Sequence, residues 1–560
     1  MPRTAAIAID AAEWWYVQRL LDDGRLPHLA TVRERSAVFE LTTPAPFRSE
    51  LIWARFLTGR EPLEDRDWAA SMVFDPETYS IASTTASTRA PFYALGPGTK
   101  VVTLDLIHCA LAEEGVDGEQ VVAWGSHSPQ WPRSSMPHGL LTDIDARFGT
   151  NRLFNNDSGL GWYQADYVDA FAEAGVEALG TRADIARFLL ERTPDWDLFL
   201  MCMSEVHGAG HLMWHGVDPA SPLHDVEGAK HAGQRFDEIL VAADAALGRV
   251  LEAMPDDVNL VVFAMHGAQP ADDLLCTVLL PELLHRRYVG TRSPLQSPDT
   301  AAWRGAGCPP IVPPGDYGWG EFMSDAFADT PKQRVRRAVR QLLSRRAFEA
   351  LRRAAGRPSV PPLSALARPT PPETMEIDDE VLQSFRRAAD YQVPAWYRRH
   401  WPVMPAFVLP TFADGHIRLN LAGRERAGTV SLDDYAAVCD ELVRLLEECR
   451  DARTGRPIVR EVLRMRADDP TAADGPDCDL LVLWVGAPDA IEHPTLGVIG
   501  PFPHLRTAHH TTNGFAMVSG PGVEPGARGS AATGDLTATV LALIGRSNPT
   551  VRGSSLVELV

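Results

Sequence analysis

The feature that most constrains this chain is a junction. The apolar run Asp197-Leu-Phe-Leu-Met-Cys-Met203 gives way, after one serine, to Glu205-Val-His207-Gly-Ala-Gly-His211. A strand that ends and at once delivers polar side chains belongs at the carboxyl edge of an open α/β sheet, where such sheets bind ligands. If the segment turns helical, His207 and His211 are four residues apart on one face and reach a single ion. The same spacing also suits two buried, hydrogen-bonded histidines, because H-x-x-x-H lacks the glutamate that makes H-E-x-x-H a strong metal signature.

The strand-then-polar pattern recurs along the chain. Ala5 to Ile9 reads as a short buried strand with Asp10 at its end, either facing the same edge as the histidines or capping the helical pattern that runs to Leu21. Glu40 to Gly59 runs from a strand through a proline-broken turn into an apolar helix, with Ser49 where the helix begins. A hydroxyl there is either a nucleophile beside backbone N–H groups suited to a phosphate or one more helix cap. Lys100 to Leu106 and Gln120 to Trp124 read as strands separated by an amphipathic helix, and Val258 to Ala264 is a strand ending in Met265-His266-Gly267. Leu480 to Trp484 is wholly apolar, as a central strand should be. Arg48, His127 and Glu205 are candidates to touch substrate, and each fits an ordinary structural role equally.

Bulk properties narrow the class. The formal charge of -21 argues against a nucleic-acid surface, and 45% hydrophobic residues among 560 supply a large core. Seven scattered cysteines form no C-x-x-C pair and read as reduced thiols. The apolar N-terminal run stops at an acid, and no stretch approaches the ~20 apolar residues that span a bilayer. The expectation is a cytoplasmic protein that does not enter membranes. Residues 291–400 break the pattern, with prolines either side of the basic stretch Arg334 to Arg357, and read as a Pro/Arg-rich insertion. The expected organisation is a discontinuous α/β core from 1–290 and 401–560, that insertion, and smaller caps at 61–98 and 127–161.

Taken together, these stretches resemble the type I phosphodiesterase and nucleotide pyrophosphatase branch of the alkaline phosphatase superfamily. Asp10 with the downstream Gly-Arg-Leu-Pro-His-Leu resembles the opening metal aspartate and its sequel, and Ser49, four before Trp53, resembles the Ser/Thr nucleophile. Glu205 to His211 resembles E-x-D-x-x-G-H, His266-Gly267 the D-H-G motif, and Asn420 to Gly428 the N-x-x-G-R-E-x-x-G hairpin. His510 ahead of Gly514 resembles the late histidine ligand, and Gly534 to Gly545 the closing helix.

The resemblance implies a three-layer α/β/α sandwich around a mostly parallel sheet, with inserted caps. It implies Ser49 as catalytic nucleophile and one or two divalent ions, zinc with manganese or iron as alternatives, held by Asp10, Ser49, His207, His211, His266 and His510. Two positions depart from the pattern. His207 stands in place of an aspartate, which keeps a good zinc ligand, whereas Met265 stands in place of the aspartate of D-H-G and removes a ligand from the second ion. The implied activity is hydrolysis of small phosphate esters, of phosphodiester or nucleotide-pyrophosphate type. Sulfate or phosphonate ester hydrolysis, phosphoryl transfer and a non-catalytic binding role are the alternatives.

Overall fold

The computed structural model describes residues 3–44, 51–60, 72–83, 90–125, 127, 133–154, 156, 159–290, 293–314, 318–343, 347, 350, 354, 393–411, 413–472 and 476–558. A nine-stranded sheet forms its centre. The strand Thr4–Ile9 lies between Leu198–Met203 and Asn259–Ala264, parallel to both. Lys100–Leu104 and Asp117–Val122 extend the parallel array on one side. On the other side Asn513–Ser519 runs antiparallel, between Asn259–Ala264 and Ala37–Thr42.

Burial on both faces explains why these strands read as unbroken apolar runs. Ala5, Ile7 and Ile9 enter one apolar core while Ala6 and Ala8 enter another. The first core is completed by the helices Trp14–Asp22, Ala165–Arg192 and Ala229–Leu251, and the second by Leu51–Thr58 and Asp535–Leu543. Three layers follow from this alternation, as the sequence implied. The parallel strands Thr4–Ile9, Leu198–Met203 and Asn259–Ala264 all end at one edge. Because Asn513–Ser519 runs the other way, its beginning lies at that edge too, with Asn513 opposite Thr42.

The region 406–484, expected within this core, instead forms a separate antiparallel sheet of Ala406–Leu409, Gly415–Leu419, Leu480–Trp484 and Val459–Arg464. Leu480–Trp484 is therefore an inner strand of the smaller sheet. A short apolar run reads the same wherever both its faces are covered. Its core also takes Trp319, Met323, Phe327 and Tyr397 from the 291–400 stretch, and Phe74 and Tyr79 from the hairpin Met72–Asp75 with Ser80–Ser83. The basic stretch begins in the helix Pro331–Leu342, opened by a Thr330/Gln333 capping box, and most of its remainder lies outside the described residues. The helix expected between Leu106 and Gln120 is absent. Gln120 donates to the Ala112 carbonyl and accepts from its N–H, which fastens that segment as an irregular turn.

The hairpin motif from Asn420 to Gly428 clamps this second unit. Glu425 accepts from Arg418 at 2.7 Å, from Arg424 at 2.9 Å and from the Leu421 N–H at 2.7 Å. Asp479 accepts two bonds of 2.7 Å from Arg424, one of 2.7 Å from the Leu419 N–H and one from the Tyr435 hydroxyl. Each buried charge there is matched by an opposite one, so the motif serves architecture.

Candidate metal centre

At the carboxyl edge of the large sheet, Glu205–Met213 turns helical directly after its strand and is buried throughout. His207 and His211 therefore lie one turn apart, facing Asp10 from the first strand and the short strand Ala508–His510. Their Nε2 atoms are 2.8 Å apart, and the Nε2 of His510 lies 3.3 Å from that of His207. Three imidazoles from the middle and the far end of the chain thus converge on one point.

Their outer nitrogens fix the tautomers. The Nδ1 of His211 faces the Ala508 carbonyl at 2.9 Å, which only accepts, and the Nδ1 of His207 faces an Asp10 carboxylate oxygen at 2.6 Å. Burial alone would raise the Asp10 pKa, but His207, His266 and His127 around it hold the carboxyl well below the usual range. It is ionised, so the Nδ1 of His207 carries the proton. The neutral rings of His207 and His211 then turn Nε2 lone pairs toward each other, an arrangement that suits a cation between them. A proton is disfavoured, because burial pushes His211 and His510 well below the ordinary histidine range, helped by Arg506 at the first and His266 at the second. A tetrahedral ion with bonds of about 2.0–2.1 Å spaces its nitrogen ligands roughly 3.3–3.4 Å apart, which the His207–His510 separation matches. The carboxylate and carbonyl behind the two rings are the partners that orient histidine ligands. The donor set fits a divalent ion.

The remaining expected residues divide. His266 places Nε2 3.5 Å from Asp10 and stacks on His510 with centroids 4.1 Å apart, and burial lowers its pKa to about 4. His127 joins the same cluster, its ring tilted against His207 with centroids 4.2 Å apart, and groups with Asp10 and His207 as a second set of potential ligands within 4.8 Å. Met265 is buried in the apolar core beside Phe56 and Phe263, with a thioether where the family motif has a carboxylate.

Glu205, expected to touch substrate, is instead fully buried. Its carboxylate is taken by Arg182 at 2.7 Å and Asn151 at 3.2 Å, and Arg182 also holds Asp105 at 2.8 Å. Arg48 and Ser49 lie outside the described residues. Trp53, four residues after Ser49, donates its indole N–H to Asp10 at 3.1 Å and so ties the helix Leu51–Thr58 to the centre.

The edge is built under strain and at close quarters. Ala11, Asp105, His108 and Ala123 adopt positive φ between 52° and 61° just beyond strand ends. At Gly267 a side chain would place Cβ 2.0 Å from the Glu13 carboxylate, which explains the glycine of the His-Gly pair. Burial lifts that carboxyl to about 7, against hydrogen bonds from Thr511 and the Ala268 N–H. Sequence reasoning missed Arg506. Its Nη1 lies 3.2 Å from the Nε2 of His211, and the only hint was an arginine inside the stretch that carries His510.

The model of the type I phosphodiesterase/nucleotide pyrophosphatase family matches residues 4–295, more than half of the chain. The chain belongs to this family. It is accordingly an enzyme of phosphoester hydrolysis, and its histidine and aspartate groups could hold a divalent metal ion. No curated protein matches it. Among solved structures it is similar to phosphonoacetate hydrolase from Sinorhizobium meliloti 1021, with 13% identity, 97% of this chain and 96% of that one covered, and a TM-score of 0.45. Murine ectonucleotide pyrophosphatase/phosphodiesterase 5 gives 9%, 99%, 98% and 0.45, and alkaline phosphatase PafA 10%, 99%, 99% and 0.49. Among the described residues no helix is long and apolar enough to cross a membrane.

Proposed function

We propose that the chain hydrolyses phosphodiesters or nucleotide-type pyrophosphates, with Ser49 as nucleophile and a zinc ion held by His207, His211 and His510. The observation that carries this reading is the convergence of the Nε2 atoms of His207, His211 and His510, with the tautomers of His207 and His211 set by Asp10 and the Ala508 carbonyl. Bound there, the ion supplies Lewis-acid charge to a phosphoryl group.

The chain's own residues do the rest. The Ser49 oxygen attacks phosphorus, forming an O–P bond as the bond to the leaving oxygen breaks, and the leaving group takes a proton from solvent. Water then cleaves the phosphoserine, releasing phosphate monoester and restoring the hydroxyl. Asp10 holds both His207 and the Trp53 indole, coupling the ligand cluster to the helix that follows Ser49. The proton of Ser49 passes to solvent, and His266, its pKa lowered by burial to about 4, stays neutral at pH 7 with a lone pair available as a ligand. Asp10, Ser49 and His266 form the set for a second ion, manganese or iron as well as zinc. Met265 leaves that set one carboxylate short, so it binds more weakly. Six of the seven cysteines are buried thiols, which suits a cytoplasmic location.

Ser49→Ala tests the reading. Turnover of bis-p-nitrophenyl phosphate is expected to fall roughly 10³-fold or more, with zinc stoichiometry unchanged. Undiminished turnover would remove Ser49 as nucleophile, and full activity in zinc-stripped protein would remove the ion.

A further inference from the structure

Met265 leaves the second ion short of a ligand, and one imidazole at this edge has no part in the reading above. Among the described residues, Asp10 and His266 are what remains of the second set, with the Asp10 carboxylate 3.5 Å from the Nε2 of His266. That spacing suits two ligands of one ion. A carboxylate and one imidazole, even with the Ser49 oxygen, leave a place open on a four-coordinate ion.

His127 follows soon after the strand Asp117–Val122, which is parallel to Lys100–Leu104 and so ends at the same edge as Asp10. Its ring is held between two others, tilted against His207 at 4.2 Å and edge-on to His108 at 5.4 Å. A nitrogen of His127, one of His207 and an oxygen of Asp10 all lie within 4.8 Å of one another. His207 is already committed, with Nε2 toward His211 and His510 and Nδ1 toward Asp10. What His127 adds is therefore a nitrogen beside the Asp10 carboxylate. An imidazole has two nitrogens, so binding an ion through one leaves the other for a hydrogen bond.

We propose that His127 is a ligand of the second ion, sharing Asp10 with His266 and standing in for the carboxylate that Met265 lacks. The inference rests on the metal-dependent reading above and deepens it. It also narrows the metal, because two imidazoles and one carboxylate favour zinc over manganese, which prefers oxygen ligands.

Zinc content after equilibrium dialysis, with affinities from calorimetry on the full chain, tests this. The parent is expected to hold about two zinc ions per chain and both His127→Ala and His127→Phe about one, with the affinity of the remaining ion unchanged. Phenylalanine keeps a ring packed against His207 and removes only the nitrogens, so it separates ligation from packing. Two ions in His127→Phe overturn the inference. Loss of both ions there overturns it as well, since His127 would then support the whole cluster. A parent that binds a single ion overturns the inference alone and leaves the three-histidine site standing. A parent that takes up no zinc overturns that site together with it.

Discussion

The chain buries charge in two places, and it treats them differently. In the smaller unit, Glu425 and Asp479 are surrounded by Arg418, Arg424, Tyr435 and backbone N–H groups, each acceptor meeting a donor. At the edge of the large sheet, His207 and His211 turn Nε2 lone pairs toward one another, with the Nε2 of His510 3.3 Å from that of His207. The first arrangement is finished by the protein alone. The second gathers acceptor nitrogens at a point that suits a cation. Burial by itself therefore marks no functional site; an interior polar group becomes informative when its neighbours share its polarity.

Three measurements press on that contrast. The largest effect is expected at the satisfied cluster, where Glu425→Ala takes the bonded carboxylate from buried Arg418 and one of two from Arg424, and should cost about 3–5 kcal/mol in chemical denaturation while leaving zinc uptake intact. A loss of zinc binding in that variant would break the separation between the two regions. Next comes the histidine centre. Zinc at a hundredfold excess over its Kd should stabilise the parent by about 2.7 kcal/mol, and His211→Ala should abolish that increment. A zinc-induced rise in Tm that survives His211→Ala would show the ion to be bound elsewhere.

The smallest effect is on the pH dependence of zinc-free protein. Burial depresses the His266 pKa to about 4, so the unfolded chain binds the extra proton first. The contribution of His266 is present above the unfolded value near 6.5 and is lost as pH falls through about 4. Glu13, lifted to about 7, works in the opposite sense, and its contribution fades as pH rises from about 4.5 through 7. His266→Gln should therefore flatten the acid side of the stability profile and leave the neutral side alone.

Much of the edge was legible in the primary structure because strand ends announce themselves. Asp10, His207 and His266 each lie within four residues of the end of an apolar run, and the parallel register of those runs brings them together. His510 could be joined to them through the family pattern, and the antiparallel Asn513–Ser519 supplies the physical reason. Arg506 and His127 were harder, since a loop residue carries no periodicity and its destination depends on contacts made far away. Glu205 misled for a related reason. A carboxylate between two strong ligand candidates looks functional until Arg182, from a distant helix, is seen to claim it. The strand Leu480–Trp484 showed the limit of hydrophobicity as a guide, because covered strands of either sheet look alike.

The position of Ala37–Thr42 has a consequence for how the molecule is made. Among the described residues its sheet partners are Asn513–Ser519 and Arg528–Ala532, both from the far end of the chain. As the polypeptide leaves the ribosome, this early segment has nothing to pair with until residue 513 has been translated, and the last imidazole of the centre arrives in the same final stretch. A nascent chain therefore carries an unclosed sheet and an incomplete ion site through most of its synthesis, and both are completed in one late event.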